Sequence, residues 1–372
     1  MIQKALCIPL SLALCSFSTA QERMFVSNER LSLGTEVFRS ASVRFGDIDS
    51  DGDLDIVVAN GRHWPEQDFL FLNQGSANFG VMRPLGTDRT TSYACELADL
   101  DGDGDLDIAT GNDMALGRIF LNNGKGQFAE HSQFGEISSV RSLTLADIDQ
   151  DGDIDILSTS RGRPNRIYLN DGSGAFTNGP AFGNQDDSTI NVAVADINAD
   201  GTLDLILANR DGQQNYLLLN NGKLNFSERK SFGSGKDQTR AVAVADLNGD
   251  GKLDWVTGNI DQPNRIYFGD GTGSIASSLD LGMSDNRTYA LAIADMDNDG
   301  DQDIIVGRVA QQNSVFFNVG DGTSFQDVFF GSKTSATYGL SVGDLDGDGF
   351  KDIAVANSEE LNYVFLNRPN RK

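Results

Sequence analysis

The sequence predicts an all-β chain of seven four-stranded blades that close into a β-propeller. Three observations predict this fold. An acidic nine-residue motif occurs seven times, its copies lie about 50 residues apart, and each interval contains four short strand-like segments. No stretch shows the 3.6-residue apolar period of an amphipathic helix. A fixed internal period of this length indicates one repeat architecture rather than two or three separate domains.

The repeated motif reads Asp-x-(Asp or Asn)-x-Asp-Gly-x-x-Asp. Its copies begin at Asp47, Asp99, Asp147, Asp196, Asp246, Asp295 and Asp344. Successive copies are separated by 52, 48, 49, 50, 49 and 49 residues. Near-equal units therefore cover almost the whole chain that follows the N-terminal segment.

Four segments recur in every unit, and each is rich in β-branched or aromatic residues and bounded by Gly, Asn or Asp. Segment A precedes the motif, as in residues 241–245, and segment B follows it, as in residues 54–59. Segment C is typified by residues 166–170, and segment D begins near Phe128 in the second unit. The Asn/Gly-rich residues 122–126 between C and D suit a tight hairpin turn. Each unit is thus predicted to be one four-stranded antiparallel blade.

The strand count closes only if the N-terminus joins the last blade. Segment D ends in an apolar residue and a glycine in six places, but the chain stops after the seventh segment C. Residues 24–34 have the missing D pattern. We therefore expect this segment to complete the seventh blade, which would remove the exposed sheet edges that favour aggregation.

Residues 1–20 are predicted to be a secretory signal peptide, and residues 21–372 the propeller. Lys4 precedes an apolar run over residues 5–14, and small residues follow at 18–20. That run is too short to span a bilayer, and no other stretch is long and apolar enough. Cleavage would leave Cys95 as the only cysteine, so no intrachain disulfide is expected. The expected location is secreted, periplasmic or at the cell surface.

The motif carries the chemistry of a calcium loop. Carboxylates or amides at alternate positions bring several oxygens to the inside of a tight turn, and hard oxygen donors select calcium over softer metals. An EF-hand would need glutamate at position twelve and flanking helices, but the flanks here are predicted strands. The residues at position twelve are Val58, Thr110, Ser158, Leu207, Thr257, Val306 and Val355. Asp, Asn and Gly also favour plain polar turns, but seven copies with Asp at positions one, five and nine favour a metal site. We expect up to seven structural Ca²⁺ ions.

This motif and its period resemble the FG-GAP or VCBS repeats, the units that build the integrin α-subunit propeller. The resemblance implies that the side chains at positions one, three, five and nine, and the backbone carbonyl at position seven, bind calcium. The implied ligands are Asp47, Asp49, Asp51, Asp53 and Asp55; Asp99, Asp101, Asp103, Asp105 and Asp107; Asp147, Asp149, Asp151, Asp153 and Asp155; Asp196, Asn198, Asp200, Thr202 and Asp204; Asp246, Asn248, Asp250, Lys252 and Asp254; Asp295, Asp297, Asp299, Asp301 and Asp303; Asp344, Asp346, Asp348, Phe350 and Asp352. Asn198 and Asn248 lower the ligand charge, so their sites are expected to empty first.

The resemblance also implies that the acidic loops lie on a lower face and that partners bind the opposite, upper face. The residue six before each motif forms a predicted ring there, which consists of Ala41, Tyr93, Arg141, Ile190, Arg240, Tyr289 and Tyr338. The candidate binding residues are Arg39, His63, Trp64, Arg89, Tyr93, Arg141, Arg240, Arg287, Tyr289 and Tyr338. Tyrosine and arginine offer large contact areas with hydrogen-bonding ends. Alternatively, the arginines only solubilise this face and pair with nearby acids.

One pair inside the propeller is also predicted. Arg44 and Glu96 lie three residues before the motifs of the first and second blades, where other blades carry small residues. Their opposite charges should meet across the two blades.

Three functional hypotheses follow. The first is an adhesion or ligand-binding module for an extracellular protein or glycan, with an anionic polysaccharide as one ligand class. The second is a polysaccharide lyase or hydrolase that uses His63, the tyrosines and the arginines, although no catalytic constellation is evident. The third is a structural module of an extracellular assembly. The acidic balance, a net charge of −25, disfavours nucleic acid.

Overall fold

Residues 23–370 are described by the structure, a computed structural model. The predicted signal peptide over residues 1–20 lies outside the described residues. Within residues 23–370 the chain is all-β, with one 3₁₀ turn at Glu29–Leu31 and no α-helix. None of the described segments forms a helix long and apolar enough to cross a membrane.

Twenty-nine strands build seven antiparallel sheets in a ring. The N-terminal strands are β1 (Arg23–Val26) and β2 (Phe38–Arg39). Blade 1 contains β3 (Ser42–Gly46), β4 (Asp55–Ala59), β5 (Phe69–Leu72) and β6 (Val81–Pro84). Blade 2 contains β7 (Ser92–Ala98), β8 (Asp107–Asn112), β9 (Gly117–Leu121) and β10 (Ala129–Phe134). Blade 3 contains β11 (Val140–Ala146), β12 (Asp155–Ser160), β13 (Asn165–Asn170) and β14 (Phe176–Phe182).

The remaining blades follow the same order. Blade 4 contains β15 (Thr189–Ala195), β16 (Asp204–Asn209), β17 (Gln213–Leu219) and β18 (Glu228–Asp237). Blade 5 contains β19 (Thr239–Ala245), β20 (Asp254–Asn259), β21 (Asn264–Gly269) and β22 (Ile275–Leu281). Blade 6 contains β23 (Thr288–Ala294), β24 (Asp303–Arg308), β25 (Asn313–Asn318) and β26 (Phe325–Phe330). Blade 7 contains β27 (Thr337–Gly343), β28 (Asp352–Glu360), β29 (Tyr363–Pro369) and β1.

The four predicted segments correspond to four strands in every blade, so the predicted fold class is confirmed. Each A strand contacts the A strands of the neighbouring blades around the axis. The B strands are the most buried, because they are covered on both sides by adjacent blades; every residue of β20 and of β24 is buried. The apolar cores lie between blades, as where Ile305 and Phe330 of blade 6 pack in one cluster with Phe365 of blade 7.

The predicted closure through the N-terminus is confirmed. Strand β1 pairs antiparallel with β29, with Phe25 opposite Asn367, and Phe25 packs on Phe330 at 5.6 Å between ring centroids. Strand β1 is shorter than the predicted segment, because the chain turns at the Glu29–Leu31 3₁₀ turn. Beyond it, Leu33 joins the core of blade 1, and β2 pairs with β28. The ring is therefore closed by two strand pairings rather than one.

The predicted Arg44–Glu96 pair is also confirmed. Nε and Nη2 of Arg44 donate to the two carboxylate oxygens of Glu96 at 2.7 and 2.6 Å. The paired carboxylate raises the pKa of Arg44 despite the opposing effect of burial, which is the larger single influence. This bidentate bridge joins the A strands of blades 1 and 2.

Candidate functional site

Antiparallel order places the turns of each blade on two opposite faces. The A–B loops and C–D turns lie on the lower face, and the B–C and D–A loops lie on the upper face. The acidic motifs are the A–B loops, and they are called the acidic loops below.

Each acidic loop is stabilised by hydrogen bonds from its backbone N–H groups to its own carboxylates. In blade 1, the two carboxylate oxygens of Asp47 accept from the backbone N–H groups of Asp51 and Gly52, both at 3.1 Å. Asp51 in turn accepts from the N–H of Asp53 at 3.0 Å. The first and fifth positions therefore shape the turn as well as supplying oxygens.

The ninth-position aspartate is fully buried in every blade. Asp55 accepts from the N–H of Ile48 at 2.9 Å and from the N–H of Asn73, at the end of strand C, at 2.7 Å. The same two backbone bonds recur at Asp107, Asp155, Asp204, Asp254, Asp303 and Asp352. Burial raises the pKa of Asp55 to about 6 and that of Asp303 to about 8, although the two N–H groups oppose the shift. This residue connects the loop to strand C.

The oxygens of the acidic loops fit a bound cation. In five blades, one carboxylate oxygen from each of three aspartates lies within 4.8 Å of the others, as for Asp47, Asp49 and Asp55. Buried oxygens of Asp49, Asp295, Asp297 and Asp346 have no hydrogen-bond partner. Burial and the neighbouring carboxylates raise the pKa of Asp297 to about 6. A hard divalent cation such as calcium would satisfy these oxygens and neutralise their repulsion.

In three acidic loops, a side chain of the protein already pairs with the fifth-position carboxylate. In blade 4 the amide of Asn198 donates to Asp200 at 2.9 Å, and in blade 5 the ammonium of Lys252 lies 3.3 Å from Asp250. In blade 7 the Arg368 guanidinium pairs with Asp346 and Asp348. A cation that binds the fifth-position carboxylate of these loops would have to displace that donor. Within residues 23–370, no side-chain donor bonds to the loop carboxylates of blades 1, 2, 3 and 6.

An asparagine at the end of strand C joins neighbouring acidic loops, a role that the sequence reasoning missed. The side chain of Asn122 donates to the carbonyl of Ile48 in the preceding loop at 2.8 Å. Equivalent bonds run from Asn73, Asn170, Asn318 and Asn367. The bond from Asn73 reaches Leu345 of blade 7 and so crosses the closure of the ring. Its sequence signal was the recurring asparagine at the end of segment C.

The upper face has a depression of about 220 Å³ on the propeller axis, called the axial depression below. Its lining residues are Arg62, His63, Tyr93, Arg141, Arg161, Ile190, Arg210, Arg240, Tyr289 and Tyr338. All seven residues of the predicted ring line the axial opening. Of the ten candidate binding residues, six lie in the axial depression: His63, Tyr93, Arg141, Arg240, Tyr289 and Tyr338.

Arginines lie over tyrosine rings within the axial depression. The guanidinium carbons of Arg62 and Arg141 lie 4.0 and 4.4 Å from the ring centroids of Tyr338 and Tyr93. Two acids in B–C loops pair with arginines of the axial depression. Asp113 pairs with Arg141 at 3.0 Å, and Asp211 pairs bidentately with Arg161 at 2.7 and 2.8 Å.

His63 lines the axial depression and contacts Tyr93 there. The Tyr93 hydroxyl lies 2.9 Å from Nδ1 and 3.0 Å from Nε2 of His63. Burial and the nearby cation of Arg62 lower the pKa of His63, and burial raises the pKa of Tyr93. At neutral pH the pair is therefore a neutral imidazole beside a protonated phenol.

Comparison with known proteins gives the family. The FG-GAP-like repeat family matches six overlapping stretches, residues 47–110, 99–158, 147–207, 196–257, 246–306 and 295–355. These stretches together span most of the chain. This chain belongs to the FG-GAP-like repeat family. A search of curated proteins found no match.

Solved structures show that this FG-GAP-like repeat protein shares its fold with distant propellers. Crystal structures of BBS1N in complex with ARL6DN, one soaked with mercury and one with lead, have a TM-score of 0.63 to this chain. They are 13% identical to it and cover 94% of this chain and 98% of theirs. At this identity the likeness concerns the fold.

The upper face of this FG-GAP-like repeat protein differs in part from the predicted surface. Arg89 and Arg287 are exposed and lie outside the axial depression, and Arg287 pairs with Asp261 at 3.3 Å. Arg39 and Trp64 lie next to each other at the rim of the axial depression, with the guanidinium carbon of Arg39 5.7 Å from the ring centroid of Trp64. Arg161 was missed, because nothing in the sequence shows which loop arginine turns toward the axis.

Proposed function

We propose that this chain is a secreted, calcium-stabilised propeller that binds a protein partner through its upper face. The observation that carries the proposal is the axial depression, which combines tyrosines, arginines and an exposed apolar rim on the face opposite the acidic loops. Tyrosine and arginine are enriched among the residues that dominate binding energy at protein interfaces. The similar BBS1N chain was solved in complex with ARL6DN, and this supports a protein as the class of partner.

The rim supports a protein partner more than a sugar. Trp64, Met114 and Ile137 lie in upper-face loops of the first three blades and are 62, 56 and 61% exposed. The N–H of Met114 donates to the carbonyl of Ser138 at 2.7 Å, so the loops that carry Met114 and Ile137 are in contact. Exposed apolar side chains on neighbouring loops of one face are typical of interaction sites.

A photo-crosslinking amino acid tests which face binds. It would replace Trp64 on the upper face or, as the control, the half-exposed Val319 in a C–D turn on the lower face. The variants would be incubated with extracellular proteins of the organism that produces this chain. We expect one discrete adduct from position 64 and none from position 319. Adducts from position 319 alone, or from neither position, would contradict the proposal.

The calcium part of the proposal is tested by titration of the chelated protein with calcium. The donors of Asn198, Lys252 and Arg368 occupy the fifth-position carboxylates of blades 4, 5 and 7. We therefore expect four tighter sites and up to three weaker ones by isothermal titration calorimetry and native mass spectrometry. Arg368→Gln should raise the affinity of one weaker site. Seven equivalent sites, or none, would contradict this division.

A polysaccharide lyase is the second candidate, and one observation favours it. The hydrogen-bonded His63 and Tyr93 lie beside Arg141, so an acid–base pair and a carboxylate-neutralising cation are close together. The raised pKa of Tyr93 disfavours a phenolate base at neutral pH. Incubation with polygalacturonate, followed by detection of unsaturated ends, tests it. The binding proposal predicts no such ends, and their appearance would favour the lyase.

A further inference from the structure

The axial depression has more positive than negative charge. Five arginines line it, and the acids that pair with them among the described residues are Asp113 and Asp211. Those two acids are bound to Arg141 and Arg161. The local balance is therefore cationic in a protein whose overall net charge is −25. A cationic pocket on an acidic protein selects an anionic ligand by charge complementarity.

Arg240 and Arg210 are the two arginines of the axial depression whose guanidinium groups make no hydrogen bond within residues 23–370. Among residues 23–370, no hydrogen bond or ion pair reaches the guanidinium of Arg240, and its nearest aromatic neighbour is Tyr289 at 5.6 Å. Nε of Arg210 is buried without a hydrogen-bond partner and lies 3.9 Å from Asp211. Burial and the positive charges of Arg210 and Arg141 lower the pKa of Arg240 to about 10. An anion placed here would relieve this repulsion.

The shape and chemistry of these donors fit a carboxylate. A guanidinium presents a planar fork of N–H groups, which matches the two oxygens of a carboxylate. The volume of about 220 Å³ admits one side chain or a similar small group. The edge-to-face pair of Tyr289 and Tyr338, 4.8 Å between centroids, forms an aromatic wall of the depression.

The rim indicates what carries the carboxylate. Trp64 adjoins His63, which contacts Tyr93 in the axial depression, and the exposed Met114 follows Asp113. Trp64 and Met114 are therefore next in the chain to residues that contact the cationic centre. Apolar residues that flank an acidic side chain on a protein would cover both regions, whereas a polyanionic sugar would leave the apolar rim exposed.

We infer that the axial depression binds an aspartate or glutamate side chain of a protein partner, with Arg240 and Arg210 as its anchors and apolar neighbours of that acid on the Trp64–Met114 rim. This inference rests on the proposed upper-face binding and adds the chemistry of the partner. Arg141 and Arg240 are the two arginines of the ring, and Arg141 pairs with Asp113, so Arg240 is the ring arginine that has no acidic partner within residues 23–370.

Short peptides test the inference directly. The probes are a capped peptide with one aspartate between leucines, the same peptide with asparagine, and an oligogalacturonate. Binding is followed by tryptophan fluorescence, because Trp64 is exposed whereas Trp255, the other tryptophan, is buried. The proteins are the wild type, Arg240→Gln, and Arg265→Gln as a control. Arg265 lies in the same blade and pairs with Asp280 outside the axial depression.

We expect the aspartate peptide to bind at least tenfold more tightly than the asparagine peptide, and Arg240→Gln to abolish this preference while Arg265→Gln retains it. Arg240→Gln should leave the melting temperature of the free protein unchanged or higher, because it removes a repelled cation. Equal binding of the two peptides, no saturable binding at millimolar peptide, or a lower melting temperature with unchanged peptide preference would overturn the inference.

The result is separable from the proposed function. An adduct at position 64 together with equal binding of the two peptides would leave upper-face binding intact and reject the acidic side chain. Tighter binding of the oligogalacturonate than of the aspartate peptide, lost in Arg240→Gln, would assign the same arginines to a glycan and reject the protein acid.

Discussion

The lower and upper faces of this propeller are built on the same repeat but differ in how closely they keep it. On the lower face the ninth-position aspartate makes the same two backbone hydrogen bonds in all seven blades, as at Asp55 and Asp303. On the upper face the equivalent ring position ranges from Ala41 to Arg240. The contrast agrees with our proposal, in which the repeated chemistry maintains the ring and departures from the repeat carry recognition.

The backbone does not cause this difference. In blades 2 to 7 the residue seven after the ninth-position aspartate has positive φ, and it is a glycine only in blade 3. These residues are Met114, Gly162, Asp211, Asp261, Ala310 and Glu359. Blade 1 has a longer B–C loop, with positive φ at Gly61 and His63 instead. Outside blade 1 the turn geometry is thus shared, and the side chain that it presents is not.

Removal of calcium should produce the largest effect, if the lower face maintains the ring. Four sites, each held at about 100 times its dissociation constant, would together contribute about 11 kcal/mol. For a protein of this size the loss corresponds to a fall of about 15 °C in melting temperature. Calorimetry with calcium and with a chelator measures it. An upper-face control, Trp64→Ala, should shift the melting temperature by less than about 1 °C. Equal melting with and without calcium would remove the basis of the comparison.

The two roles within an acidic loop can be separated in blade 3. Asp155 accepts from the N–H groups of Asn170 and Ile148, whereas Asp151 is exposed and contacts only its own loop. In chelator, Asp155→Ala should lower the free energy of unfolding by about 4 kcal/mol, since it removes two charge-assisted bonds. Asp151→Ala should cost less than about 1 kcal/mol until calcium is added. Urea denaturation with and without calcium measures both, and equal costs in chelator would show that the ninth position has no separate structural role.

Asp68, on the upper side of blade 1, allows a test of how stability depends on pH. It replaces an asparagine that lies at or near the start of strand C in five other blades, Asn165, Asn215, Asn264, Asn313 and Asn362. Its carboxylate accepts from the N–H of Asn60 and from the hydroxyl of Ser92, and burial raises its pKa to about 7. A protonated Asp68 could instead donate to Ser92, as Asn165 donates to Thr189.

The folded state therefore holds a proton on Asp68 that the unfolded chain releases near pH 3.8. Stability should fall as the pH rises from about 4 to about 7, because the native state binds more protons in this window. Asp68→Asn removes this dependence and should stabilise the protein by up to about 4 kcal/mol at pH 8. Urea denaturation of both proteins at pH 4, 6 and 8 measures the difference, and a constant difference across that range would contradict the prediction.

The smallest effect is expected for the ion pair that joins the inner A strands of blades 1 and 2. The Arg44–Glu96 pair is half-buried, and other blades carry Ala193, Ala243 or Ala292 at the same level. A double-mutant cycle of Arg44→Ala and Glu96→Ala should give a coupling free energy of about 1 kcal/mol. The double variant should be as stable as the wild type to within a similar margin. Zero coupling would show that the bridge has no influence on how blades 1 and 2 join.

The sequence alone determined the blade number, the four strands of each blade, the positions of the acidic loops and the closure by the N-terminal strand. These features follow from local chemistry that recurs at a fixed period, so each repeat supports the interpretation of the next. The Arg44–Glu96 pair was predictable for the same reason, because equivalent positions in adjacent blades lie at the same level of the axis.

Only the tertiary structure decided which side chains meet on the axis and in the loops. Arg161 lines the axial depression and Arg287 does not, although both belong to upper-face loops. Arg368, at the end of β29, reaches the acidic loop of its own blade, where the motif alone suggested a site like the others. The physical reason is convergence: the ring brings together loops about 50 residues apart, and their side-chain directions depend on packing that no repeat pattern encodes.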